Sequence, residues 1–200
     1  MKEIRKSNEP ISSNERRIEG YAIVFNSNSE DMGFIETIAP TALDGVIGRS
    51  DCFALLNHDE NRGILARSKY GEGTLTLTVD DIGLRYEFEA PHTQLGDETL
   101  EMINRGDIDG SSFAFTIAEG GESWEKRDGK YYRTINQIDR LFDVSPVYQP
   151  AYLATTCVAD TRGLDELKKA ENEAIIAEQE LKQYFSEMRA RISDNNSEQE

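Results

Sequence analysis

The chain has 200 residues, of which 22 are Lys or Arg and 38 are Asp or Glu, so its formal net charge at pH 7 is −16. This balance argues against a nucleic-acid-binding or membrane-surface protein, because phosphates and anionic lipids are bound by clustered basic side chains. No apolar run approaches the roughly 18 residues of a membrane span, and the polar segment from Met1 to Pro10 lacks the apolar core of a secretory signal.

In chain order, the sequence divides into three segments of different character. Residues 1–17 are polar, and we expect a flexible arm. Residues 18–160 contain short runs of alternating apolar and polar residues, which is typical of strands. Residues 161–200 have helical spacing, and we expect a helix that either packs back on the strands or binds a partner. Its apolar stripe consists of Leu181, Phe185, Met188 and Ile192.

The alternation is clearest on the two sides of Asp80–Gly83, whose composition is typical of a hairpin connection. Apolar residues occupy every second position from Leu75 to Val79 before it and from Leu84 to Phe88 after it. Further strands are predicted at 18–25, 52–58, 64–69, 111–118, 130–138 and 140–148.

Two short helices interrupt the strands. One is predicted at residues 40–47, and a second at 97–105, with Asp97 as its N-cap and Gly106 just past its end. Many antiparallel strands with few helices predict an α+β fold, built on a barrel or a strongly curved sheet.

A general base that works near neutral pH has two candidates, because His58 and His92 are the only histidines. His58 stands at the end of an apolar strand, where a rigid element can hold a reactive group at a rim. His92 follows Pro91 in a polar loop, which suggests exposure to solvent. A single histidine at a strand end is more often structural than catalytic, so the pattern alone leaves both roles open.

Two adjacent serines begin one of the predicted strands. Phe113 and Phe115 share a parity that predicts contact with the core, and Ser111 shares that parity. Ser112 and Ala114 therefore face the other side, where small side chains leave room for a substrate backbone. The alternative is that the two serines merely start a strand.

Asp143 lies between Phe142 and Val144 in an apolar strand and points away from them. A carboxylate in such a strand is costly to bury unless it is paired, so it either reaches solvent or holds a partner. The Nδ1–H group of a histidine is a suitable partner. Asp139 is a weaker candidate for the same role.

Metal-binding and thiol chemistry have little support in the sequence. His58, Asp59 and Glu60, with the acids at 80 and 81, match no dedicated metal motif, so we expect no metal site. Cys52 and Cys157 are interpreted as small buried apolar residues, and two cysteines favour a reducing, cytoplasmic compartment.

Several of these segments, taken in order, resemble the prohead serine proteases of tailed phages, which mature viral capsids. The resemblance covers about two-thirds of the chain and rests on Glu19–Ala22, Leu55–Asp59, Gly110–Phe115, Asp143–Val147 and Pro150–Tyr152. It implies that Ser112 is the nucleophile, that His58 is the general base and that Asp143 orients the base. Family members often carry Gly at the position of Ala114 and Glu at the position of Asp143.

The resemblance also implies a fold like that of the herpesvirus capsid-maturation proteases, a curved β-barrel surrounded by helices, followed here by the C-terminal helix. Those proteases use a second histidine as the third catalytic residue. His92 precedes both serines in this chain, so that order does not fit.

The resulting prediction is a serine endopeptidase that cleaves scaffold and capsid protein segments, and itself, inside an assembling prohead in the host cytoplasm. It needs no cofactor, and its partners are those capsid and scaffold proteins. The sequence does not decide whether the chain also forms a homodimer. Residues 18–160 would form the protease domain, and residues 161–200 a targeting or autocleaved tail. The alternative is a non-enzymatic scaffold or assembly protein whose helix binds capsid subunits. The distance between His58 and Ser112 distinguishes the two.

Overall fold

The computed structural model describes residues 1–7, 9–148 and 161–197, with residues 187–197 described by their backbone alone. Pro150–Tyr152 and Cys157, used above, lie outside these residues, as do the side chains of Met188 and Ile192. The chain divides into two compact units, Met1–Asp160 and Thr161–Glu200.

Thirteen strands lie in the described part of the first unit. In chain order they are β1 Glu3–Ser7, β2 Ser12–Asn14, β3 Arg17–Val24, β4 Ile35–Ile38, β5 Asp51–Ala54, β6 Ala66–Lys69, β7 Glu72–Gly73, β8 Leu75–Val79, β9 Gly83–Glu89, β10 Gly110–Ile117, β11 Glu122–Arg127, β12 Lys130–Ile135 and β13 Ile138–Val147. The α-helices are α1 Gln94–Arg105 and α2 Arg162–Ser197, and short 3-10 segments cover Pro40–Leu43, Ile47–Arg49 and Glu60–Arg62.

The strands form three sheets. The largest has the order β1-β10-β13-β5-β6-β7, the second β2-β3-β9-β8 and the third β11-β12-β4. The pairs are antiparallel except β13 with β5 and β12 with β4. The mixed α+β class, mostly of strands and with a C-terminal helix, is therefore confirmed.

The predicted barrel is wrong, because within the described residues each sheet ends in two edge strands and none closes on itself. Alternation along a strand shows which face is buried, but it does not show which strands become neighbours, and closure depends on that pairing. The similarity to herpesvirus proteases stays a prediction.

The hydrophobic core consists of the apolar faces of these strands. Leu84, Tyr86 and Phe88 of β9 are at most 3% exposed, as the alternation predicts, and Phe113 and Phe115 of β10 are equally buried. Burying each such side chain contributes about 1.5–3 kcal/mol relative to leaving it in water. β10 is thereby fixed with one face against the core, so the direction of every side chain on it is determined.

The N-terminal segment differs from the flexible arm predicted for residues 1–17, because it contains β1 and β2. β1 pairs antiparallel with β10, with Arg5 opposite Phe113 and Lys6 opposite Ser112. Its inward residues are charged or polar, so the hydrophobic pattern gives no strand signal there.

Those inward side chains belong to a buried set of ion pairs that we call the charged core cluster, formed by Glu3, Arg5, Glu36 and Arg133. Arg5 donates to Glu36 at 2.6 and 2.8 Å and to Glu3 at 2.7 Å. Arg133 donates to Glu3 at 2.7 and 2.9 Å and to Glu36 at 2.9 Å. All four side chains are at most 6% exposed. Because the charges are mutually paired, this polar strand can be buried.

The helices also depart from the prediction in detail. α1 begins at Gln94 rather than at 97, because the hydroxyl of Thr93 accepts the N-cap hydrogen bond from the Gly96 N–H. The helix predicted at 40–47 is a 3-10 turn that ends at Leu43. In α2, the side chains of Leu181 and Phe185 are more than half exposed. No helix in the described ranges is both long and apolar enough to cross a membrane.

Candidate active site

The two serines at the start of β10 lie on opposite faces of the strand, as their parity predicts. Ser111 is fully buried on the core face, where its hydroxyl shares a 2.7 Å hydrogen bond with the Tyr86 hydroxyl. Gly20 makes this contact sterically feasible, because a Cβ there would lie 3.0 Å from Ser111 Oγ and 3.1 Å from Tyr86 Oη. Ser111 is therefore bound inside the core, and Ser112 alone of the two faces the other side.

His58 is held by a tight turn that follows β5. Asn57 and His58 both adopt left-handed backbone angles, with φ of 55° and 61°, which residues other than glycine rarely do. The Asn57 N–H donates to the carbonyl of Pro146 at 3.0 Å, which ties the turn to β13. Such conformations persist only where the surroundings enforce them, and they occur often at functional sites.

Ser112, His58 and Asp143 form one hydrogen-bonded chain, although they come from three separate segments. His58 Nε2 lies 2.6 Å from Ser112 Oγ, and His58 Nδ1 lies 2.5 Å from Asp143 Oδ1. With Asp143 ionised, Nδ1 carries the proton and donates to the carboxylate, so Nε2 accepts from the Ser112 hydroxyl. The structure therefore brings together all three residues predicted for catalysis.

The Asp143 carboxylate is 1% exposed and is stabilised by its neighbours. Burial opposes its ionisation, but hydrogen bonds from His58 and Ser145 and favourable electrostatic interactions with His58 and Lys2 hold its pKa below the usual value. The Ser145 hydroxyl donates to Oδ1 at 2.7 Å. A carboxylate kept ionised in this way can hold an imidazole in one tautomer and stabilise its protonated form.

A backbone group that the sequence did not predict also contacts the nucleophile. The Ser112 hydroxyl lies 2.7 Å from the carbonyl oxygen of Arg5 in β1. A hydroxyl has one proton, so Ser112 donates either to His58 Nε2 or to this carbonyl. When both nitrogens of His58 are protonated, Nε2 donates to Oγ and the hydroxyl proton turns to Arg5. The hydroxyl is thus satisfied in both protonation states of the base.

The remaining candidates lie elsewhere. His92 is exposed between β9 and α1. Asp139 is exposed and accepts a 3.4 Å hydrogen bond from Thr116, so it does not orient His58. Cys52 is fully buried, and burial raises the pKa of its thiol far above the usual range, so its thiolate is suppressed. Within the described ranges, no group of three or more His, Cys, Asp or Glu side chains is placed to hold a metal ion.

Sequence reasoning missed the contribution of β1, which supplies the Arg5 carbonyl and places Lys2 beside Asp143. The available signal was charge alternation, since Glu3, Arg5 and Ser7 face inward while Ile4 and Lys6 face outward. Alternation of charged residues becomes informative only when opposite charges elsewhere in the chain are known to pair with them.

Comparison with known proteins identifies a family and a similar solved structure. The family model for caudovirus prohead serine proteases matches residues 2–170. No curated protein matches the chain. The solved structure of the bacteriophage T4 capsid assembly protease is similar, with a TM-score of 0.47 and 13% sequence identity, over 74% of this chain and 98% of that one.

Proposed function

The chain belongs to the caudovirus prohead serine protease family, and from this premise we propose that it is a serine endopeptidase with Ser112 as nucleophile, His58 as general base and Asp143 as the orienting acid. The observation that carries the proposal is the continuous chain of hydrogen bonds, 2.6 Å from Ser112 to His58 and 2.5 Å from His58 to Asp143. A seryl hydroxyl is a poor nucleophile until a base within such reach accepts its proton.

Peptide-bond cleavage then proceeds in two stages. His58 Nε2 takes the Ser112 proton as Oγ attacks the scissile carbonyl carbon, and Asp143 stabilises the imidazolium that forms. The imidazolium returns this proton to the leaving amine, the C–N bond breaks, and an acyl ester remains on Ser112. A water molecule that gives a proton to His58 then attacks the ester carbonyl. The ester C–O bond breaks, His58 returns the proton to Ser112 Oγ, and the acid product leaves the free enzyme.

The proposed substrates are segments of the scaffold and capsid proteins in the assembling prohead, within the host cytoplasm. The family description supports the prohead as the place of action. Self-cleavage is also proposed, and the segment we expect to be shed is residues 161–200. Residues 1–17 are not proposed for removal, because β1 pairs with the strand that carries Ser112 and contacts its hydroxyl.

A non-enzymatic scaffold protein is the alternative. Binding capsid subunits through a helix requires no serine, histidine and carboxylate in hydrogen-bonded order. The two short distances at Ser112 and His58 therefore favour the enzyme.

The proposal is tested by co-expressing the chain with the scaffold and capsid proteins of the same phage and measuring product masses. We expect processed masses with the wild-type chain, none with Ser112→Ala, and continued processing with the matched control Ser111→Ala. A fluorophosphonate probe should label the wild-type chain on Ser112 and fail to label Ser112→Ala. Normal processing by Ser112→Ala would reject the assignment.

A further inference from the structure

One charged side chain beside the catalytic residues has no role in the mechanism above. Lys2 directly precedes β1, and its Nζ lies 3.5 Å from Asp143 Oδ2 and 3.8 Å from Glu60 Oε1. The ammonium also lies over the Phe142 ring, 5.2 Å from its centroid. The side chain is 40% exposed, so the ammonium stands at the boundary between solvent and the buried carboxylate.

The two oxygens of Asp143 have different surroundings. Oδ1 receives hydrogen bonds from His58 and Ser145. Oδ2 is buried and has no hydrogen-bond partner among the residues that the structure describes. A buried carboxylate oxygen without a donor is unfavourable, and a nearby positive charge reduces that cost.

We propose that Lys2 is a positioning residue of the active site, whose ammonium compensates the charge at Asp143 Oδ2 and thereby keeps the carboxylate ionised and aligned with His58. The inference rests on the proposed protease function, since it assigns Lys2 to the same reaction. Lys2 is not a member of the hydrogen-bonded chain of Ser112, His58 and Asp143, and in this proposal it acts through Asp143 and His58.

The positive charge of Lys2 also acts on His58. Asp143 favours protonation of His58, whereas Lys2, which has the same sign as the imidazolium, disfavours it. Two further ionisable groups lie near the pair: Cys52 on β5, whose thiol stays neutral because burial raises its pKa, and Glu60, whose Oε1 lies 3.8 Å from Lys2 Nζ. Lys2 is thus a cation that offsets Asp143, and its removal would leave the attraction of the carboxylate for a protonated imidazole less opposed.

Nuclear magnetic resonance of the full chain tests this directly. His58 and His92 are the only histidines, so both imidazole titrations can be followed and His92 serves as an internal reference. A Ser112→Ala background prevents self-cleavage and keeps His58, Asp143 and Lys2. In this background Lys2→Met should move the titration midpoint of His58 to higher pH by about half a unit at low salt.

A charge series distinguishes electrostatics from packing. In the Lys2→Arg variant, His58 should have the same titration midpoint as in the chain that keeps Lys2. In the Lys2→Glu variant, the midpoint of His58 should shift about twice as far as in Lys2→Met. The matched control is Lys126→Met, which loses the same charge over a tyrosine ring, 5.0 Å from its centroid, in a different sheet. That control should leave His58 unchanged.

An unchanged His58 midpoint in both Lys2→Met and Lys2→Glu would overturn the inference, as would equal shifts in Lys2→Met and Lys126→Met. With Ser112 intact, the acid limb of kcat/KM should move by the same amount as the midpoint. If the midpoint moves as expected while the wild-type chain cleaves nothing, the positioning role of Lys2 stands and the proposed function fails. The two failures are therefore distinguishable.

Discussion

Buried charged side chains lie beside β10 on both faces of the six-stranded sheet, but the charges are paired differently on the two faces. On the core face, Arg5 and Arg133 each donate several hydrogen bonds to Glu3 and Glu36, and Arg133 donates a further one to Glu122 at 2.6 Å. On the opposite face, Asp143 keeps one oxygen without a donor among the described residues, and His58 remains 18% exposed. A fully paired cluster resists change, whereas proton transfer needs a group that can exchange one partner for another.

The largest effect is expected from substitutions on the face that carries Ser112 and His58. Ser112→Ala and His58→Ala should each lower kcat by about 10⁵- to 10⁶-fold, and the double variant should be no worse than either single one, because nucleophile and base act as a unit. The measurement is steady-state cleavage of a purified scaffold protein. Multiplying losses in the double variant would show that the two residues act independently.

The next largest effect is expected at the orienting carboxylate. Asp143→Asn should lower kcat by about 10³- to 10⁴-fold while the chain stays folded, because a neutral amide cannot stabilise the imidazolium. Asp139→Asn, on the same strand but exposed, is the control and should cleave at the wild-type rate. Circular dichroism establishes the fold of both variants. Wild-type cleavage by Asp143→Asn would make that carboxylate structural only.

On the core face, a substitution should lower the free energy of unfolding rather than the rate of cleavage. Arg133→Met leaves Glu3 and Glu36 partly uncompensated and should lower the free energy of unfolding by about 3–5 kcal/mol. Urea denaturation measures the change. The exposed Arg127, which pairs with Glu125, provides the control Arg127→Met, with an expected change within about 0.5 kcal/mol. An Arg133→Met chain of normal stability would contradict the view that this cluster holds β1 in place.

The smallest effect is expected from removing the second unit. All three proposed catalytic residues lie before residue 160, so truncation after Asp160 should leave the melting temperature and the cleavage of added scaffold protein nearly unchanged. The same truncated chain should be absent from purified proheads if the helix targets the protease. A melting temperature lowered by about ten degrees or more would instead indicate that the helix stabilises the first unit.

The sequence predicts the arrangement of the candidate site better than it predicts the sheets around it. Strand parity separates Ser111 from Ser112, and the scarcity of histidine leaves few candidates for the base. The apolar context of Asp143 indicates a buried carboxylate in need of a partner. Each of these inferences depends on local properties of one segment, namely its alternation and its composition.

The missed features all depend on pairing between distant segments. β1 is charged, so its burial becomes evident only when Glu36 and Arg133 are known to lie opposite it. The Arg5 carbonyl and the Lys2 ammonium reach the site through that strand. Barrel closure failed as a prediction for the same reason, because hydrophobic pattern does not specify which strands are neighbours.

The strand order of the six-stranded sheet also sets the time at which the proposed relay of Ser112, His58 and Asp143 can first form during synthesis. β13 lies between β10 and β5, so Asp143 can reach His58 only after Val147 has been made. At roughly 5–20 residues per second, the 85 residues that separate His58 from Asp143 take on the order of ten seconds to synthesise. A nascent chain that already contains His58 and Ser112 therefore lacks the proposed hydrogen-bonded relay until β13 has been synthesised.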